Sequence, residues 1–211
     1  MSPRRAKVLG GETSPGALRR HLIAVTQRML TLHGVTSLTT RQIAREAQVA
    51  DGVLYNHFAG KDDLVLTALA ERSKELGAEF LASVPEPGAS TLEVNVAALA
   101  QATLALHAGT TPLVTGLVGQ PRLLHDFITA THSDQGAQTS FAALVEYLAA
   151  EQHLGRASSD VDPVAIAELL FGVCQLRALV HLMGPAEGRV PSADLGAVVA
   201  AVARAMRPTA S

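Results

Sequence analysis

A chain of 211 residues that is 48% apolar but only 3% aromatic, with a net charge of −2, can hold a small module and one larger core built mainly from Ala, Leu and Val. The most apolar stretch, 163–183, is interrupted by Glu168, Arg177 and His181, and no apolar segment follows the basic Arg4, Arg5 and Lys7, so neither a membrane span nor a signal peptide is expected. One cysteine, Cys174, excludes an intrachain disulfide and a cysteine-based zinc cluster, and a cytoplasmic protein is expected.

In chain order, residues 1–13 read as a disordered basic tail, and Ser14-Pro15 as an N-cap and first helical position. A helix follows with Leu18, Leu22, Val25, Met29 and Leu32 at steps of four and three, ending at Gly34. Thr39 has the chemistry of an N-cap, and Gln42, three residues on, can complete a capping box. Ile43, Ala44 and Ala47 recur at helical spacing, Val49 closes a turn, and Val53, Leu54 and Phe58 give a second short helix an apolar side, leaving Tyr55, Asn56 and His57 outward. A helix over 62–83 comes next, with Leu64, Ala68, Leu69, Leu76 and Phe80 on one side. Pro85-Glu86-Pro87-Gly88 is the clearest linker.

Beyond it the pattern predicts helices over 90–108 and 111–118 and a long one over 121–154. Asp162-Pro163 opens another that stops before Gly184-Pro185, and Ser192 caps a last one ending before Pro208. No alternating β-branched run and no internal repeat is present, so the fold class is all-α with about nine helices. The domains are read as 1–13 tail, 14–61 helix-turn-helix and 62–208 helical effector and dimerisation domain. Within 163–183, Leu169, Val173, Leu176, Val180 and Met183 share one apolar side and Phe171, Cys174, Arg177, Ala178 and His181 the other, a helix expected to be buried on nearly all sides.

Residues 39–64 therefore read as a helix, a tight turn, a second helix and a lysine, the arrangement of a DNA-binding helix-turn-helix. Charge agrees: residues 1–74 carry eleven Lys and Arg against six acids, a balance of +5, and the remainder −7. Positive charge concentrated on a groove-binding motif is what phosphate neutralisation requires.

The stretch from about 17 to 66 resembles the DNA-binding domain of the TetR (tetracycline-repressor-like) transcriptional regulators. The resemblance is carried by Gly34, by Thr39 with Ile43 and Ala44, by Gly52-Val53-Leu54-Tyr55-Asn56-His57-Phe58, and by Lys61-Asp62-Asp63-Leu64. Two residues depart from the family pattern: Gln48 stands where the turn usually has glycine, and Ala50 where a serine or threonine often caps, so that Asp51 is the remaining candidate for the cap.

The resemblance implies a homodimer on a double-stranded, pseudo-palindromic operator, released by a small-molecule effector not identified by the sequence; a DNA-binding regulator without an effector is the alternative. Thr39 and Thr40 would hold phosphate. Arg41 would read a guanine through O6 and N7, or only contact phosphate. Asp51, Gly52 and Val53 would enter the groove, with Val53 against a thymine methyl. Asn56, His57 and Lys61 would bind phosphate, and Tyr55 would either do so or support the motif as a half-buried aromatic. Dimerisation is expected through Leu169, Val173, Leu176 and Val180 and through Leu195, Val198, Val199 and Val202. Polar and aromatic residues on otherwise apolar helices, namely Thr103, His107, His125, Phe127, Phe141, Gln175, Arg177 and His181, are candidates to line an effector pocket. No cofactor and no metal is expected, since histidines 107, 125, 132 and 181 lack metal-ligand spacing. Nor is an enzyme: the chain has no Gly-rich phosphate loop, paired catalytic carboxylates or nucleophile elbow.

Overall fold

The computed structural model describes residues 16–208 other than 36, 134–135 and 185–193, and of residues 132–139 no side chain is described. The expected tail over 1–13, the Ser14-Pro15 start and the Ser192 cap lie outside the described residues, as does the side chain of His132. The fold is all-α: α1 (Ala17–His33), α2 (Thr40–Glu46), a 3-10 helix (Asp51–Asn56), α3 (Lys61–Ser83), α4 (Leu92–Thr115), α5 (Pro121–Ser133), α6 (Gly136–His153), α7 (Pro163–Leu182) and α8 (Leu195–Ala205). The chain divides into two compact units, Met1–Arg72 with Leu113–Ala130, and Ser73–Pro112 with Thr131–Ser211.

The first unit is organised by one apolar cluster. Leu22, Ile23 and Val25 of α1, Ile43 and Ala44 of α2, Leu54 and Phe58, Leu64, Val65, Ala68 and Leu69 of α3, and Leu117, Leu123 and Phe127 are all buried in it. Residues of α1, α2 and α3 enter it at most of the predicted helical steps, but Leu32, expected on the apolar side of α1, is 75% exposed, and Leu76 and Phe80 of α3 are buried outside this cluster. Phe127, expected in an effector pocket, is instead part of this core.

Local chemistry sets the ends of α2. Thr39 caps it, accepting from the Gln42 N–H at 3.2 Å, while the Gln42 side chain accepts from the Thr39 N–H at 2.8 Å. The turn that follows runs through Gln48 at φ 55, the one non-glycine residue with positive φ among the described residues. Its neighbours hold it there: the Gln48 N–H donates to the Arg45 carbonyl and that of Val49 to Ala44, at 3.1 and 2.9 Å. A left-handed residue with a Cβ is strained by about 1–2 kcal/mol, of which glycine's greater freedom in the unfolded chain takes back about 0.4–1 kcal/mol. Gln48→Gly is therefore expected to stabilise the protein by about 0.5–1 kcal/mol, read as a raised midpoint in chemical denaturation; an unchanged or lowered midpoint would show that the turn carries no strain.

Two predicted boundaries differ. The helices expected over 90–108 and 111–118 are one helix, α4, with Pro112 inside it. Proline in a helix interior costs about 3 kcal/mol, but Leu99, Leu106 and Thr111 are buried along α4, and burying one leucine side chain is worth about 1.5–3 kcal/mol. Helical continuity keeps that face in place. Gly109 serves the same packing: a Cβ there would stand 2.6 Å from Leu76 Cδ2, so α3 and α4 approach closely where a side chain is missing. The helix expected over 121–154 is seen as α5 and α6, with 134–135 between them outside the described residues.

In the second unit, α6 packs on α7. Asp162 caps α7 as predicted, accepting from the Val164 N–H at 2.9 Å. The unit also contains a buried carboxylate that the sequence reading passed over. Glu151 has no exposed side-chain surface, and it accepts from Asn95 Nδ2 at 3.1 Å, the Gly88 N–H at 3.1 Å, Arg156 Nε at 2.7 Å and the Tyr147 hydroxyl. The Arg156 guanidinium also donates to the Ser90 carbonyl. The Pro85-Glu86-Pro87-Gly88 segment is thus tied down at its C-terminal end, with Gly88 at φ 81, a conformation suited to glycine. Burial alone would raise the Glu151 pKa, but the hydrogen bonds from Tyr147, Gly88, Arg156 and Asn95 outweigh it and hold the carboxyl at about 2. Burial and the adjacent carboxylate push the Tyr147 phenol well above its ordinary value.

Candidate nucleic-acid interface

The surface-facing residues of the helix-turn-helix follow from what its apolar side requires. Leu54 and Phe58 are buried, and Arg19 stacks on the Phe58 ring at 4.9 Å while pairing with Glu71 at 3.7 Å. His21 Nε2 lies 3.2 Å from the Ala47 carbonyl at the end of α2. With its inner side anchored in this way, the segment presents Arg41, Asp51, Gly52, Tyr55 and Asn56 to solvent and leaves Thr40, Val53, His57 and Lys61 half-buried. Thr39 is exposed, but its N–H and hydroxyl are committed to Gln42, so of the first amides of α2 those of Thr40 and Arg41 are free of the capping box.

Tyr55 is 61% exposed and does not act as a buried support; Leu54 and Phe58 have that task. The second helix of the motif is a 3-10 helix, as its short length and Gly52 favour, with the Val53 N–H donating to Ala50 and that of His57 to Leu54. Asp51 does not cap it, since the N-cap is Ala50 with no side-chain bond. The Asp51 carboxylate instead accepts from Arg41 Nε at 3.2 Å, on side chains 62% and 88% exposed. Asp63, one of the helix-entry residues that carry the resemblance, accepts from the Ala59 N–H at 2.8 Å and, as third residue of α3, fixes the entry to that helix.

Residues 22–68 match the family model for bacterial regulatory proteins of the tetR family. The match covers the helix-turn-helix of the first unit. No curated protein matches the chain, but solved structures resemble it over nearly its whole length. A putative TetR-family transcriptional regulator from Mesorhizobium loti is 17% identical, with a TM-score of 0.70 over 92% of this chain and 96% of its own. Reduced NemR from E. coli is 20% identical, with a TM-score of 0.68 over 92% and 100%. FadR from Bacillus subtilis in complex with stearoyl-CoA is 17% identical, with a TM-score of 0.56 over 88% and 96%. These likenesses show that the TetR-like fold extends beyond the matched domain.

In the second unit of this TetR-like fold, the expected pocket residues are partly gathered and partly dispersed. The His107 ring meets Phe171 edge-on at 4.9 Å, and Phe141 meets the same phenylalanine at 5.2 Å. Gln175 Nε2 donates to Thr111 Oγ1 at 3.0 Å. Phe171 and Thr111 were not in the expected set, although each lies four residues from a member of it on the same helix. Both ring nitrogens of His107 are shielded from solvent, and burial, opposed by a hydrogen bond with the Gln175 side chain, lowers its pKa. Thr103 is buried with its hydroxyl on the Leu99 carbonyl at 2.7 Å. Arg177 is half-buried, and its charge opposes the burial that pushes the Cys174 thiol up to about 11. His181 is exposed, as is His125, which belongs to the first unit. An open cleft of about 300 Å³ in this unit is lined by Leu81, Val84, Pro85, Pro87, Ala143, Glu146 and Tyr147, none of them expected in a pocket. No group of three or more His, Cys, Asp or Glu suited to a metal ion occurs among the described residues.

Within its own chain, the helix expected to be buried on nearly all sides is buried on one. Ile166, Ala167, Leu170, Cys174 and Ala178 of α7 face inward, whereas Leu169 and Leu176 are 58% and 49% exposed, with Val173 and Val180 half-buried. By length and a mean hydropathy of 1.6, α7 is apolar enough to cross a membrane, a test that the core helix of a globular protein also passes. On α8, Leu195 and Val198 are half-buried, while Val199 and Val202 are buried within their own chain.

Proposed function

We propose that this protein is a cytoplasmic transcriptional repressor that binds a pseudo-palindromic operator as a homodimer and is released by a small molecule. The observation that carries the reading is the helix-turn-helix anchored by Leu54 and Phe58, with Arg41, Gly52 and Asn56 on its solvent side. Two such heads related by a twofold axis match half-sites roughly 34–36 Å apart. Lys61 and His57, with the free amides of Thr40 and Arg41, hold phosphate; Arg41 and Val53 meet base edges. The effector binds at the His107, Phe141 and Phe171 cluster, where the half-buried His107 imidazole, its ring nitrogens shielded from solvent beside the Gln175 side chain, offers a polar anchor among aromatic rings. FadR with stearoyl-CoA and the reduced form of NemR lend support, being proteins of this fold.

Salt titration of operator binding by wild type, Lys61→Ala and Arg41→Ala tests this. Each neutralised phosphate contributes about −0.9 to the slope of log K against log salt, so Lys61→Ala should weaken binding to every sequence alike and flatten the slope by about one unit. Arg41→Ala should also lose about 1–3 kcal/mol of base discrimination. An unchanged ratio between operator and scrambled DNA would remove Arg41 from base reading, and no salt dependence in the wild type would remove DNA binding by this face.

A further inference from the structure

We infer that Asp51 is a positioning residue that holds Arg41 in the geometry needed to read a guanine, and that it touches no base itself; this rests on the proposed base reading by Arg41. The pair joins the second residue of α2 to the first residue of the 3-10 helix, ten positions on, across the turn of the motif. Both side chains are largely exposed, and an ion pair so placed contributes little to stability. Asp51 is also free of the capping task its position would suggest.

The choice of atom gives the pair its consequence. Asp51 engages Arg41 through Nε. The two terminal NH2 groups therefore keep the end-on pair of donors that matches O6 and N7 of guanine. A free arginine of this length samples many rotamers and loses that freedom on binding; one tethered at Nε has lost much of it beforehand. The carboxylate has an opposite effect on DNA binding as a whole, because it places negative charge beside phosphates. Asp51 thus exchanges affinity for sequence preference.

The opposed signs make the test decisive. Full-length wild type, Asp51→Ala, Arg41→Ala and the double variant are each used to select sites from a random double-stranded DNA library. Affinities are then measured for the preferred duplex, for the same duplex with its selected guanine replaced, and for a scrambled duplex. Wild type is expected to prefer guanine at one position per half-site by roughly tenfold or more. Asp51→Ala should lose most of that preference while binding scrambled DNA more tightly, and should unfold at the wild-type temperature. The double variant should discriminate no worse than Arg41→Ala. Unchanged guanine preference in Asp51→Ala overturns the inference, as does weaker binding to scrambled DNA with a lowered unfolding temperature, which marks a structural role. A shift in preference caused by Asp51→Ala in the Arg41→Ala background also overturns it, by showing that Asp51 meets a base. If Arg41→Ala keeps the guanine preference, the failure is that of the underlying reading of Arg41.

Discussion

Glu151→Ala is expected to destabilise the protein by about 3–5 kcal/mol, the usual result of removing one partner from a buried ion pair. The substitution strips an acceptor from the Arg156 guanidinium, the Asn95 amide, the Gly88 N–H and the Tyr147 hydroxyl at once. Stability should also depend on acid in a defined window. The carboxyl falls from an ordinary 4.5 to about 2 on folding, so between these values the unfolded chain binds the extra proton and folding is penalised as pH falls. The contribution is fully present above about pH 4.5 and is lost by about pH 2; at 1.36 kcal/mol per unit it amounts to roughly 3 kcal/mol. Chemical denaturation of wild type and Glu151→Gln at pH 7 and at steps down to pH 3 checks this. The wild type should lose more stability over that range than the variant. Parallel pH profiles would show that the network is not what the acid attacks.

Glu in place of both Leu169 and Leu176 is expected to abolish dimerisation while leaving the protomer folded. Both leucines face solvent within their own chain, so charge there meets no core and should change protomer stability by no more than about 0.5 kcal/mol. Across a twofold axis the same charges would be buried without partners, twice over, at several kcal/mol for each ion. Sedimentation velocity should show monomers at micromolar protein, and operator affinity should fall by about 100-fold or more, since one head no longer helps the other to bind. Val202→Glu is a poor substitute, because Val202 is already 7% exposed inside its own chain and its replacement would disturb folding and pairing together. An intact dimer with both leucines changed would place the interface elsewhere.

The N-terminal motif was legible because its signals act over three or four residues. Thr39 caps α2 with the help of Gln42, Gly34 ends α1, and the apolar steps through Ile43, Ala44 and Leu54 each depend on neighbours in the chain. The second unit was less legible. Its polar residues on apolar helices gave no sign of which would meet. His107 and Phe171 come together, whereas Phe127 lies in the other unit's core. Helical periodicity gives the side of a helix a residue occupies but not which element covers it.

What the sequence determined by itself was the all-α class, the helix-turn-helix and most helix ends, since capping, proline geometry and periodicity are local interactions. Only the tertiary structure decided that Pro112 lies within an unbroken α4 and that Asp51 pairs with Arg41 instead of capping a helix. It alone, too, made Glu151 the acceptor for donors from Gly88 and Asn95, 63 and 56 residues away. In each case the deciding energy comes from groups distant in sequence, whose burial or pairing outweighs the local preference and appears only once the helices are packed.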